Sequence, residues 1–177
     1  MENTSPILYI SLLLGLLSIS AIAIGRQVLK TRRTESTLTR LQNKLSKEKG
    51  SAQEYYELGS IYLDKRLFTQ AVNALQKALK AEELTDVESA AVYNALGFAY
   101  FAQDQFDLAI RHYKEATKLD PSYTTAFNNL GHAYERKQLT SQALSAYEQT
   151  LAIDAENQTA KRRAESLRKR LVPSTNN

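Results

Sequence analysis

The stretch NALGFAY, Asn94 to Tyr100, returns 34 residues later as NNLGHAY, Asn128 to Tyr134, and a weaker echo, YELGSIY, precedes both at Tyr56 to Tyr62. Aligned, the three segments place an aromatic residue, a leucine, a glycine and a tyrosine at i, i+3, i+4 and i+7. The sets are Tyr55, Leu58, Gly59, Tyr62; Tyr93, Leu96, Gly97, Tyr100; and Phe127, Leu130, Gly131, Tyr134. That spacing puts all four residues on one face of a helix. A second apolar stripe follows each set, at Ala71 and Leu75, Ala109 and Tyr113, and Ala143 and Tyr147. Each unit therefore holds two amphipathic helices. A glycine inside a helix costs up to about 1 kcal/mol relative to alanine. Three of them in register predict close helix–helix crossings.

The ends of these helices are also written in the sequence. Ser51-x-x-Glu54 and Thr85-x-x-Glu88 are capping boxes, in which a hydroxyl and a carboxylate satisfy the free amides of a helix start. Pro121, after KLD, closes the second helix of the middle unit. Gly59 and Gly97 are 38 apart rather than 34, so four extra residues lie around 82–85, where they read as a longer loop between units. Gln158 to Leu171 supplies a closing helix, with Ala160, Ala164, Leu167 and Leu171 on one face and basic residues on the other.

Composition agrees. Six glycines and three prolines in 177 residues favour long helices over turn-rich β architectures. No cysteine is present, which excludes disulfides and thiolate chemistry. The net charge of +4 conceals a segregation: residues 26–49 carry +6, residues 50–157 carry −6, and residues 158–177 carry +5.

Aromatic-x2-Leu-Gly-x2-Tyr, then Ala-x3-aromatic, then Pro, with a period of 34, resembles the tetratricopeptide repeat family. The middle unit matches throughout, with Tyr93, Leu96, Gly97, Tyr100, Ala109, Tyr113, Ala116 and Pro121. The third has Thr150 and Ala155 where the family has a small residue and proline, and the first has Leu75 and Glu83 for the aromatic and the proline. The expected fold is all-α: a single N-terminal transmembrane helix, then a three-repeat helical solenoid, then a capping helix. The repeats occupy about 52–85, 90–123 and 124–157 within a domain at 51–157, followed by a basic cap at 158–172 and a tail at 173–177.

Ile7 to Gly25 is 19 residues without a charge. As a helix it spans about 28 Å, close to the ~30 Å hydrocarbon core of a bilayer. A cleaved signal peptide, with AIA at Ala21 to Ala23, is the competing reading. The charge pattern opposes it, because Arg26, Lys30, Arg32 and Arg33 follow the apolar run and only Glu2 precedes it. We therefore expect an uncleaved anchor at 1–25, a basic juxtamembrane linker helix at 26–50, and the repeats on the cytoplasmic or stromal side. Ser11, Gly15 and Ser18 share one face of the anchor and suit close approach of another membrane helix.

No phosphate-cradling loop, nucleophile motif or metal-ligand spacing is present, and the acidic repeat body lacks the basic stripe that nucleic acid requires. His112 and His132, the only histidines, read as surface or groove residues. The sequence thus predicts a non-enzyme with no cofactor, metal, nucleic-acid or small-molecule site. The repeat fold implies protein binding along the face lined by each first helix. The candidate contact residues are Tyr56, Ser60 and Leu63 from the first repeat, Asn94, Phe98 and Phe101 from the second, and Asn128, Asn129 and His132 from the third, with Gln53, Thr125 and Glu135 beside them. The Lys/Arg/Asn clamp by which some family members grip chaperone tails is missing, since Tyr56, Ser60, Ala95, Thr125 and Asn129 stand in its places.

The whole arrangement resembles the thylakoid-anchored photosystem I assembly factors of cyanobacteria and algal plastids. That resemblance implies a scaffold in the thylakoid membrane whose partners are photosystem I subunits. The alternative is an anchored peptide receptor or adaptor for protein secretion or import, in the cytoplasmic membrane.

Overall fold

A computed structural model describes residues 4–81 and 84–171, all in helices and short connections. Glu82, Glu83 and 172–177, which include part of the expected inter-repeat loop and the tail, lie outside the described residues. The chain divides into two units, 1–47 and 48–177.

The first unit is one helix, α1, from Thr4 to Leu45. At 1.5 Å per residue it is about 63 Å long, so the apolar run continues without a break through Gly25 into the basic stretch. Ser11 and Ser18 donate their hydroxyls to Leu8 and Leu14 carbonyls in the same helix, at 2.9 and 2.8 Å. The hydroxyls of that small-residue face are therefore satisfied locally.

The second unit consists of α2 (Ala52–Asp64), α3 (Phe68–Ala81), α4 (Asp86–Phe101), α5 (Phe106–Leu119), α6 (Thr124–Arg136), α7 (Thr140–Ile153) and α8 (Gln158–Leu171). Helices α2 with α3, α4 with α5, and α6 with α7 form three antiparallel pairs. Each pair packs on the next through its second helix, and α2, α4 and α6 stand side by side along one face. Both expected capping boxes form. Ser51 Oγ accepts from the Glu54 amide at 3.2 Å and Thr85 Oγ1 from the Glu88 amide at 3.3 Å, with each carboxylate accepting in return. Hydrogen bonds from the Thr85 hydroxyl and amide hold the Glu88 carboxyl below its ordinary range.

The glycines mark the crossings, as their register predicts. A β-carbon on Gly59 would lie 2.7 Å from Leu75 Cγ, on Gly97 2.6 Å from Tyr113 Cδ1, and on Gly131 2.8 Å from Tyr147 Cζ. Each partner comes from the second helix of the same repeat. Alanines complete the close packing: Ala71, Ala99, Ala109, Ala133 and Ala143 are all fully buried. The helix pairs reverse direction through left-handed residues, Arg66, Asp104 and Gln138, with φ of 59°, 57° and 59°. After each, the next amide reaches back to the motif tyrosine: Leu67 to Tyr62, Gln105 to Tyr100, and Leu139 to Tyr134. That is the bond of a Schellman C-cap, here made without glycine.

One expectation needs correction. The four extra residues of the first spacing are not an added loop. Helix α4 starts 11 residues before Gly97, whereas α2 and α6 start 7 before Gly59 and Gly131. The insertion is a whole additional helical turn at the start of α4, and a four-residue insertion suits that because it leaves the apolar stripe nearly in phase.

Helix α8 begins 34 residues after α6 and takes the place of the first helix of a further repeat. Ala160, Ala164 and Leu167 are buried against α7, as Ala126, Leu130 and Ala133 are in α6. Where an aromatic, a glycine and a tyrosine would receive another helix, α8 has Lys161, Glu165 and Arg168. It closes the solenoid with a polar face.

Candidate protein-binding surface

The first helices repeat one row of positions across the solenoid: Tyr56, Ser60, Leu63 on α2; Asn94, Phe98, Phe101 on α4; Asn128, His132, Glu135 on α6. The centre of this row is apolar and open. Phe98 is 44% exposed.

Several of the expected contact residues are instead engaged within the fold. Asn94 Nδ2 donates to the Tyr123 hydroxyl at 3.2 Å, and Asn129 Nδ2 donates to Asn94 Oδ1 at 2.9 Å. One repeat later, Asn128 Nδ2 donates to Asn157 Oδ1 at 3.3 Å, while that same oxygen caps α8 by accepting from the Ala160 amide. The Asn129–Asn94 bond ties α6 to α4, and the other two tie α4 and α6 each to the segment leading into the next first helix, so these asparagines are mainly structural. Phe101 is also partly covered. Its ring lies 4.8 Å from His132 and edge-on to Phe106 at 5.4 Å, and Arg136 stacks over Phe106 at 4.4 Å. Ser60 donates to its own helix at the Tyr56 carbonyl, 2.9 Å, and Tyr56 and Leu63 are half-buried. Sequence reasoning missed Tyr123 and Asn157 as the partners. Their 34-residue separation, which matches Asn94 and Asn128, was the available signal.

A second feature comes from the extra turn of α4. Gln53, Tyr56, Leu84, Glu88, Ala91 and Val92 line a notch of about 70 Å³ between the starts of α2 and α4, large enough for one small apolar side chain.

His112 departs from the surface reading. It lies on α5, stacked on Tyr93 at 5.9 Å and on Tyr100 at 5.1 Å, with Nδ1 buried and without a hydrogen-bond partner among the described residues. Burial, and then the Arg111 charge, lower its pKa against the opposing pull of Glu115. His132 is lowered by burial and then by Arg163. When the folded value lies below the unfolded one, the unfolded chain takes up the proton first as pH falls. The stability is therefore complete above the ordinary imidazole value of 6.5 and declines below it. The thermal midpoint should drop on going from about pH 7.5 to about pH 5.5. His112→Phe keeps the stack and should make that drop shallower; an unchanged slope would show that His112 does not couple to folding.

Paired helices with Leu-Gly-Tyr crossings, stacked in register and closed by a polar helix, define a tetratricopeptide repeat protein. Profiles described as "TPR repeat" and "Tetratricopeptide repeat" match residues 97–138, and 126–161 and 52–83, respectively. The chain belongs to the ycf37 family of these proteins. It is 36% identical over 138 residues to the "Uncharacterized protein ycf37" of Cyanophora paradoxa, covering 78% of this chain and 80% of that one. The protein of the same name from Guillardia theta is 33% identical, with 94% of each chain covered. The "Tetratricopeptide repeat domain-containing protein PYG7, chloroplastic" of Arabidopsis thaliana is 39% identical over 96% of this chain, which spans 56% of that protein's length. Among solved structures the fold resembles MamA, with a TM-score of 0.71, 24% identity, and coverage of 80% of this chain and 82% of that one. It also resembles YrrB, described as having an unusual peptide-binding site, with a TM-score of 0.68, 21% identity, and coverage of 80% and 71%. A protein of this family serves protein interaction.

Proposed function

We propose that the chain is a single-pass membrane scaffold whose repeat surface holds protein subunits while photosystem I is assembled at the thylakoid. The observation that carries the anchoring is α1 itself. Its large apolar side chains from Leu8 to Ile24 are 54–72% exposed all round the helix, and no charged residue interrupts them. A helix of that kind requires an apolar medium around it, and its length and composition suit a bilayer. The cluster Arg26, Lys30, Arg32 and Arg33 then keeps the repeats on the cytoplasmic or stromal side. The kinship with a chloroplastic repeat protein supports the organelle, and the open Phe98 supports subunit capture, because aromatic anchors dominate interface energetics.

The test is affinity purification of the full chain from solubilised thylakoids. Photosystem I subunits should co-purify, and Phe98→Ala should lower their yield about tenfold, the effect of a modest hot spot. Helicity and resistance to alkaline carbonate extraction should not change. Purification free of photosystem I subunits would refute the assembly role, and carbonate release of the intact chain would refute the anchor.

A further inference from the structure

We propose that α8 is part of the binding row, and that Arg162, Ser166 and Lys169, with Arg170 beside them, receive an acidic segment of the partner protein. This rests on the reading that the row bearing Phe98 is the docking surface. The register carries the assignment. Residues 162, 166 and 169 stand 34 after Asn128, His132 and Glu135, and 68 after Asn94, Phe98 and Phe101. The buried faces correspond as well, since Ala160, Ala164 and Leu167 repeat the places of Ala126, Leu130 and Ala133. With the same face buried, the same positions point along the row.

The charge on that fourth rung is unspent. Lys161 pairs with Glu156 at 3.1 Å, Arg163 with Glu135 at 3.4 Å, and Arg168 with Glu148 at 2.8 Å. Arg162, Lys169 and Arg170 are exposed and make no ion pair or hydrogen bond among the described residues. The one acid of the helix, Glu165, is exposed and likewise unpaired among them. A cap needs only a polar face, which mixed charges supply. Here Arg162, Lys169 and Arg170 outnumber the single acid beside them, Glu165, while residues 50–157 carry −6. A run of Asp or Glu is repelled along the body of the solenoid and attracted at its end. That asymmetry orients a bound segment, with its apolar anchor at Phe98 and its acidic part on α8.

The full chain, reconstituted in phosphatidylcholine nanodiscs, is titrated with a fluorescent peptide carrying a phenylalanine followed by a run of glutamates, and with its glutamine counterpart. The glutamate peptide should bind about tenfold more tightly at low salt. The preference should shrink as salt is raised, because both charges are exposed. Arg162→Gln with Lys169→Gln should erase the preference and leave the glutamine peptide's affinity unchanged. Neither side chain supports the fold, and an unchanged thermal midpoint verifies this. Phe98→Ala should weaken both peptides equally. If the two peptides bind alike, or the double variant keeps the preference, the acidic-segment assignment is overturned although the Phe98 row stands. If the preference follows Arg162 and Lys169 but Phe98→Ala changes nothing, the acidic site stands and the Phe98 reading fails. An effect of the double variant confined to binding of phosphatidylglycerol vesicles, or to the oligomeric mass, gives the stripe to lipid or to a second copy and overturns the proposal.

Discussion

Gly97→Leu should destabilise the repeat domain by about 2–3 kcal/mol, the upper part of the range for overpacking a core. A β-carbon there would stand 2.6 Å from both Cδ1 and Cε1 of Tyr113, and 3.0 Å from Cγ. Those are ring atoms of a side chain only 1% exposed, so the ring has nowhere to go. Relief would require α4 and α5 to move apart, which would open the contacts made by Ala99 and Ala109, both fully buried. Gly25→Leu is the control. Nothing lies within 4 Å of its β-position, and it sits in the other unit. Denaturant unfolding of the full chain in detergent measures both. Equal midpoints for Gly97→Leu and the wild type would mean that the crossing is looser than its geometry.

Leu167→Ala should cost about 2–5 kcal/mol, the range for emptying a buried leucine site. Leu167 is 1% exposed and packs in a cluster with Ala143, Tyr147, Ala160 and Ala164. Tyr147 in turn donates to Glu135 at 2.7 Å, so the cap also steadies α6. Stability in a solenoid is approximately a sum of repeat terms and nearest-neighbour interfaces. The loss should therefore be local. Amide exchange should accelerate in α7 and α8, less in α6, and scarcely in α2 and α3. Uniform acceleration across all seven helices of the domain would show that it unfolds as one cooperative block and would refute the graded picture.

Most of the fold was legible because its determinants are local and periodic. The two capping boxes, the Leu-Gly-Tyr faces and the Ala-x3-aromatic stripes each depend on residues within about two turns of a helix. A helix has one period, so spacing alone assigns the faces. The three glycines went further and anticipated tertiary contacts, since a helix does not favour glycine except where another helix comes close.

The limit of local reasoning shows in two places. A spacing of 38 counts extra residues but does not say whether they loop or wind. The structure resolves it: Thr85 caps α4 and the added residues continue as helix, because four residues make about one turn and cost the stripe little phase. The candidate site shows the same limit more strongly. Asn94, Asn128 and Asn129 have the polarity of a peptide-binding groove, yet their partners, Tyr123, Asn157 and Asn94, are 29 to 35 residues away. Phe101 and Phe98 look alike in sequence, but His132 from the next repeat covers only the first. His112 reads as an ordinary surface residue until two tyrosines from another helix close on it.

The sequence by itself determined the number of repeats, the pairing of their helices, the face each buries and the segregation of charge, because all of these follow from short-range spacing. Only the tertiary structure decided which polar and aromatic side chains remain available to a partner. Availability depends on what a neighbouring repeat brings within hydrogen-bonding or stacking distance, and that neighbour lies a whole repeat away along the chain.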